Sequence, residues 1–156
     1  MRLSDYVEGI LSELGRNDGM VHVYVGLHSD ILRRDIAIGE VLGQADRIFP
    51  NYTAVSAYGR YEGQSENSVI LQLVNCCKGL KPWEEYVSGV FRLAGMLGLS
   101  LGQYVVLMVV YPPRSLVRDS FPEYYMIETD FSASPPAQYL LQADEARAPY
   151  QERLAR

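Results

Sequence analysis

The densest recognition chemistry in the sequence lies between Tyr52 and Val74. Tyr58, Arg60 and Tyr61 lead into a polar, glycine-containing turn that carries Glu62, Gln64, Glu66 and Asn67. An arginine set between aromatic rings can grip phosphate or stack on a base. The same composition makes a protein–protein hot spot. Glu62 and Glu66 flank the turn as a carboxylate pair, able to do acid–base work or to hold a divalent ion. A solvated hairpin whose charges discourage edge pairing has the same make-up. Gly59 and Gly63 follow a strand and enter no helix, so they do not form a phosphate loop.

The remaining reactive side chains do not converge. His22 and His28 are the only histidines. Placed on one strand they would stand about 20 Å apart, too far to share a metal. Cys76 and Cys77 are adjacent, so a bridge between them would be strained. Their spacing is neither that of a redox motif nor that of a zinc site. No Ser-His-Asp or Cys-His arrangement can be argued, and neither a cofactor nor a metal is expected. Arg33-Arg34 forms a small basic cluster.

Periodicity sets out the elements that must position these residues. Ser4 to Leu14 has apolar residues at helical spacing and stops at Gly15. Met20 to Leu27 alternates, with Val21, Val23, Val25 and Leu27 on one face and His22 and Tyr24 on the other, the mark of a half-buried strand. Ser29 or Asp30 can cap a helix running to about Phe49, where Pro50 stops it. Strands at Tyr52–Tyr61 and Ser68–Asn75 follow. Pro82 opens a second helix with Glu84 and Glu85 in its first turn. Gly98 ends that helix, and a strand runs from Gln103 to Tyr111.

The order β-α-β-β-α-β predicts an α+β, ferredoxin-like fold, a four-stranded antiparallel sheet with two helices on one face. Residues 1–15 form an N-terminal helix, residues 20–111 the core, and residues 112–156 a C-terminal extension. Within the extension, Glu123 to Phe131 could add a fifth strand, and the chain from Ala137 onward reads as a polar, partly helical tail.

In this arrangement one sheet face stays open, showing His22, Tyr24, His28, Ser56, Tyr58, Arg60, Ile70, Gln72 and Val74. A second copy of the chain, the tail or an external ligand would cover it. Tyr24, Tyr58, Arg60, Tyr61, Glu62, Gln64 and Glu66 are the candidate partner-binding residues. RNA-recognition modules share this strand order, but Ser68 to Val74 lacks their basic, aromatic signature. The net charge of −5 also argues against nucleic acid.

The chain has 156 residues, 48% of them hydrophobic and 21% charged, which fits one globular domain. Its apolar runs are too short to span a bilayer. The acidic N-terminus does not read as a signal peptide, so a cytoplasmic protein is expected.

The run Ala57 to Val69 resembles a pattern in small uncharacterised ferredoxin-like proteins of phages and bacteria. Gly59, Tyr61, Gly63 and Glu66 occupy its glycine, aromatic, glycine and glutamate positions. Gly102-Gln103-Tyr104 is similar to the glutamine-containing start of that family's last strand. The resemblance spans about Val21 to Val110. It implies the fold and a phage-type origin, and it carries no activity.

The sequence thus predicts a non-enzymatic binding protein, a phage-type accessory or anti-defence factor acting through protein–protein contacts. It would form a homodimer or higher oligomer and engage a host protein, a partner implied by the resemblance alone. The alternatives are a protein that sequesters a small nucleotide-like ligand through Arg60 and stacking tyrosines, and a small hydrolase or isomerase using Glu62 or Glu66 with His22.

Overall fold

The computed structural model describes residues 19–61, 63–76, 80–113 and 122–142. The expected N-terminal helix and the residues after Gln142 lie outside the described residues, as do Glu62 and Cys77. The elements are β1 (Met20–Gly26), β2 (His28–Ser29), β3 (Arg34–Asp35), α1 (Ile38–Ala45), β4 (Thr53–Tyr61), β5 (Gln64–Val74), α2 (Trp83–Ser100), β6 (Val105–Tyr111), β7 (Glu123–Asp130) and β8 (Ala137–Gln142). The class is α+β. Six strands form one sheet in the order β4-β5-β1-β6-β7-β8, and β2 and β3 make a separate two-stranded ribbon. Every pairing is antiparallel.

The sheet has six strands rather than four. The strand expected at Glu123 to Phe131 is β7. The segment expected to be partly helical begins with a further strand, β8. Its alternation is weak because Tyr139 and Leu140 are both exposed. Pairing with β7 and a hydrogen bond from Gln138 to the Gly95 carbonyl of α2 (2.8 Å) hold it as an edge strand.

The first helix is also shorter than its sequence suggests. It begins at Ile38, because residues 28–35 turn back on themselves as the β2–β3 ribbon. His28 Nδ1 bonds Asp35 Oδ1 at 2.8 Å across the ribbon. Arg33 closes the turn with φ 56°. The arginine cluster is likewise tied. Arg34 grips Glu40 through both terminal guanidinium nitrogens, at 2.9 and 2.7 Å. Glu40 in turn accepts the Ala37 backbone N–H at 2.9 Å, which satisfies one of the donors at the helix start.

The core lies on one side of the sheet. Val21, Val23 and Val25 of β1 and Val69, Leu71 and Leu73 of β5 are fully or almost fully buried. They meet Val41 and Ala45 of α1 and Val90, Leu93, Ala94 and Leu97 of α2 in a single cluster. The strict alternation of β1 is what aims these valines at the helices. No described helix is long and apolar enough to cross a membrane.

Candidate functional site

The register fixes what the helix-free face shows. Gly26 of β1 pairs with Ser68 of β5, and Glu66 of β5 pairs with Gly59 of β4. Directly paired residues share a face. Glu66, Gly26, Gly59 and Ser68 therefore stand together on the open face, with Tyr24 two residues along β1 from Gly26. Two glycines beside one glutamate leave a notch. The space where a Gly26 side chain would begin is taken by the Glu66 carboxylate, and Gln103 Oε1 lies 3.1 Å from the same point. Nothing comes within 4 Å of the corresponding point above Gly59.

The loop between α2 and β6 supplies the wall of this notch. Gly102 takes φ 60°, a left-handed conformation that favours glycine. Its carbonyl accepts the Ser29 hydroxyl at 2.9 Å, which pins the β2–β3 ribbon to the loop. Gln103, only 6% exposed, donates its Nε2 to the carbonyls of His28 and Leu101, both at 3.1 Å. Ribbon, loop and strand ends are thereby locked around Glu66.

Burial raises the Glu66 carboxyl above the ordinary glutamate range, and Asp30 adds to the rise while His28 opposes it. His28 is itself raised, first by its hydrogen bond to Asp35. Its Nε2 also reaches Asp30 at 3.2 Å. Tyr24 is raised by burial and by Tyr111 and Tyr124 on neighbouring strands. The open face thus carries a half-buried acid at one end and a tyrosine cluster beside it. His22 packs edge-on against Tyr111 at 5.1 Å between centroids. No group of residues able to hold a metal ion occurs among the described residues.

Two of the expected site residues meet on this face around the notch, Tyr24 and Glu66. Gln64 lies further out, on the same face near the hairpin end. Tyr58 and Arg60 do not belong to the face at all. Tyr58 pairs with Asn67, so Ser56, Tyr58 and Arg60 point to the helix side. There they lie beyond the core, Tyr58 being 72% exposed. Arg60 closes the hairpin by donating to the Gly63 carbonyl at 3.2 Å. The error has a physical origin: β4 is an edge strand with mixed residues on both sides, and only the two-residue turn sets its register. Tyr61 belongs to β4 opposite Gln64. His28 lies in the ribbon rather than in the open strand. His22 stands four residues along β1 from Gly26, about 13 Å by strand rise, so it cannot act with Glu66. Gly26 and Gln103 were missed as site residues. The available signal was the glycine that closes β1 on the face carrying His22 and Tyr24.

Neither a protein-family model nor a curated protein matches the sequence. Solved structures do. A phage SAM lyase in the apo state shares 26% identity, with a TM-score of 0.55, over 74% of this chain and 92% of the lyase. A phage SAM lyase in complex with S-methyl-5'-thioadenosine shares the fold at 23% identity, with a TM-score of 0.54, over 72% of this chain and 90% of that one. These neighbours are enzymes. They overturn the expectation of a non-enzymatic accessory factor acting through protein–protein contacts.

Proposed function

We propose that the chain is a lyase that cleaves S-adenosylmethionine at the notch centred on Glu66. The observation that carries this reading is the likeness to the apo phage SAM lyase, which extends over 92% of that enzyme. The notch supports it. Its half-buried carboxylate makes no hydrogen bond or salt bridge among the described residues, and a buried charge of that kind calls for a cation.

The chemistry suits a site without a protein nucleophile. In S-adenosylmethionine the sulfonium is the leaving group. When its bond to the methionine Cγ breaks, the electron pair goes to sulfur and S-methyl-5'-thioadenosine departs as a neutral thioether. The substrate's own carboxylate can supply the new bond to Cγ and close a lactone. No water and no protein base are consumed. The protein has to fold the methionine chain so that carboxylate and Cγ meet, an orientation effect that can be large. Glu66 anchors that chain, and Tyr24 offers an aromatic surface to the adenosine end.

Three finer features go with this reading. The β4-β5-β1-β6 strands with α1 and α2 are read as a ferredoxin-like core extended by β7 and β8. The Gly59-x-Tyr61-x-Gly63-x-x-Glu66 pattern is read as the sequence mark of the notch. A second copy of the chain is the proposed cover of the open face, where Val55, Val74 and Tyr124 are 40%, 40% and 50% exposed.

Mass spectrometry of the purified chain incubated with S-adenosylmethionine tests the activity. The expected products are S-methyl-5'-thioadenosine and a lactone-mass fragment. Release of S-adenosylhomocysteine instead would mark a methyl-transfer site and overturn the proposal.

A further inference from the structure

Gln103 is the buried polar residue of the notch that the reaction chemistry leaves without a role. Its orientation is not open to choice. One end of its carboxamide lies 3.1 Å from two backbone carbonyl oxygens, those of His28 and Leu101. Two acceptors can be satisfied only by the amide NH2, so that end is nitrogen. The carbonyl oxygen must therefore point the other way, to the position above Gly26 on which the Glu66 carboxylate also converges. Both Nε2 hydrogens are committed, so Gln103 presents the notch with an acceptor oxygen alone, beside the Glu66 carboxylate.

Acceptors set side by side require a donor between them. The Glu66 carboxylate supplies two oxygens and Gln103 one. A primary ammonium carries three N–H donors and a positive charge. A sulfonium carries no N–H at all, and its charge disappears as the bond to carbon breaks. An ammonium keeps its charge throughout the reaction, so holding it steadies the substrate without opposing the chemistry.

We propose that Gln103 and Glu66 together form the subsite for the α-ammonium of the substrate's methionine chain, with Gln103 as a specificity-determining residue. This rests on the lyase reading and assigns one group of its substrate. The rise that burial imposes on Glu66 agrees with it, since the empty notch favours a proton where the ammonium would sit. Gly26 belongs to the same device, because any side chain there would displace the Glu66 carboxylate. The subsite also separates substrate from product: S-methyl-5'-thioadenosine has lost the amino acid and cannot occupy it.

Calorimetric titration with two non-reacting ligands tests the assignment. S-adenosylhomocysteine keeps the ammonium, and S-methyl-5'-thioadenosine lacks it. The wild-type chain should bind S-adenosylhomocysteine at least about tenfold more tightly, as expected for charge-assisted hydrogen bonds. Gln103→Met and Gly26→Ala should each reduce that ratio towards one while leaving the Kd for S-methyl-5'-thioadenosine unchanged. The second ligand thus reports that each variant is folded, and Gly26→Ala leaves the Gln103 hydrogen bonds in place should Gln103→Met unfold the loop. A wild-type ratio near one, or an unchanged ratio in folded variants, would overturn the ammonium subsite. Failure of the wild-type chain to bind either ligand would overturn the lyase reading itself.

Discussion

Glu66 sits where function and stability pull against each other. Burial raises its folded pKa above the ordinary value of about 4.3. The stability tied to its protonated form is full below that ordinary value and is lost as pH rises through the folded value. At neutral pH the folded chain therefore holds a charge at a cost. Glu66→Gln should raise Tm at pH 7, with the gain shrinking to nothing near pH 4, while turnover of S-adenosylmethionine is lost. Thermal denaturation across that pH range checks the first part, and a lower Tm at pH 7 would contradict it. Glu66 was legible in the sequence as part of a carboxylate pair, but its setting was not. Gly26 and Gln103 make that setting from elsewhere in the chain, and no local pattern links residues 26, 66 and 103. That no nucleophile–base pair can be argued from the sequence weighed against an enzyme. It argued against catalysis only for reactions that need such a pair, and an intramolecular cleavage does not.

The β2–β3 ribbon and the start of α1 are the elements that hold the notch closed at one end. Glu40 is pushed down to about 2 by the hydrogen bond from Arg34, with the Ala37 N–H assisting. A depressed carboxyl contributes stability above its ordinary pKa and loses it as pH falls through the folded value. The contribution of this pair is thus present at neutral pH and disappears between about pH 4 and pH 2. Arg34→Met should return the Glu40 titration towards the ordinary range by NMR. It should also speed amide exchange at the first turn of α1, and an unmoved Glu40 would show that the pair is not what sets it. The strands of the core were legible because β1 alternates strictly and α2 keeps a long apolar stripe. The ribbon was not, since Ser29 and Asp30 look like helix caps and the cross-ribbon bond from His28 to Asp35 is a tertiary choice. The side of β4 was illegible for a related reason, as an edge strand with polar residues on both sides does not declare its face.

Among the described residues, one side of the sheet carries the core and the other the proposed site. Leu71 is fully buried in the core cluster, whereas Tyr58 stands clear of it. Leu71→Ala should cost about 2–5 kcal/mol in denaturant unfolding. Tyr58→Ala should stay within about 0.5 kcal/mol. A large loss from Tyr58→Ala would mean that the helix side of β4 is covered in the native particle. The open face carries His22, whose buried Nε2 has no hydrogen-bond partner within the described fold, among Tyr24, Tyr111 and Tyr124. Light scattering of the purified chain should give a mass above that of one copy, and a monomer at micromolar concentration would leave the open face without its proposed cover.

The central claim is that the Glu66 notch breaks S-adenosylmethionine. A chromatographic time course comparing the wild-type chain with Glu66→Gln tests it most directly. S-methyl-5'-thioadenosine should accumulate as S-adenosylmethionine disappears with the wild-type chain, and should stay at the spontaneous background with Glu66→Gln. Equal rates from the two proteins, or no S-methyl-5'-thioadenosine from the wild-type chain, would contradict the account.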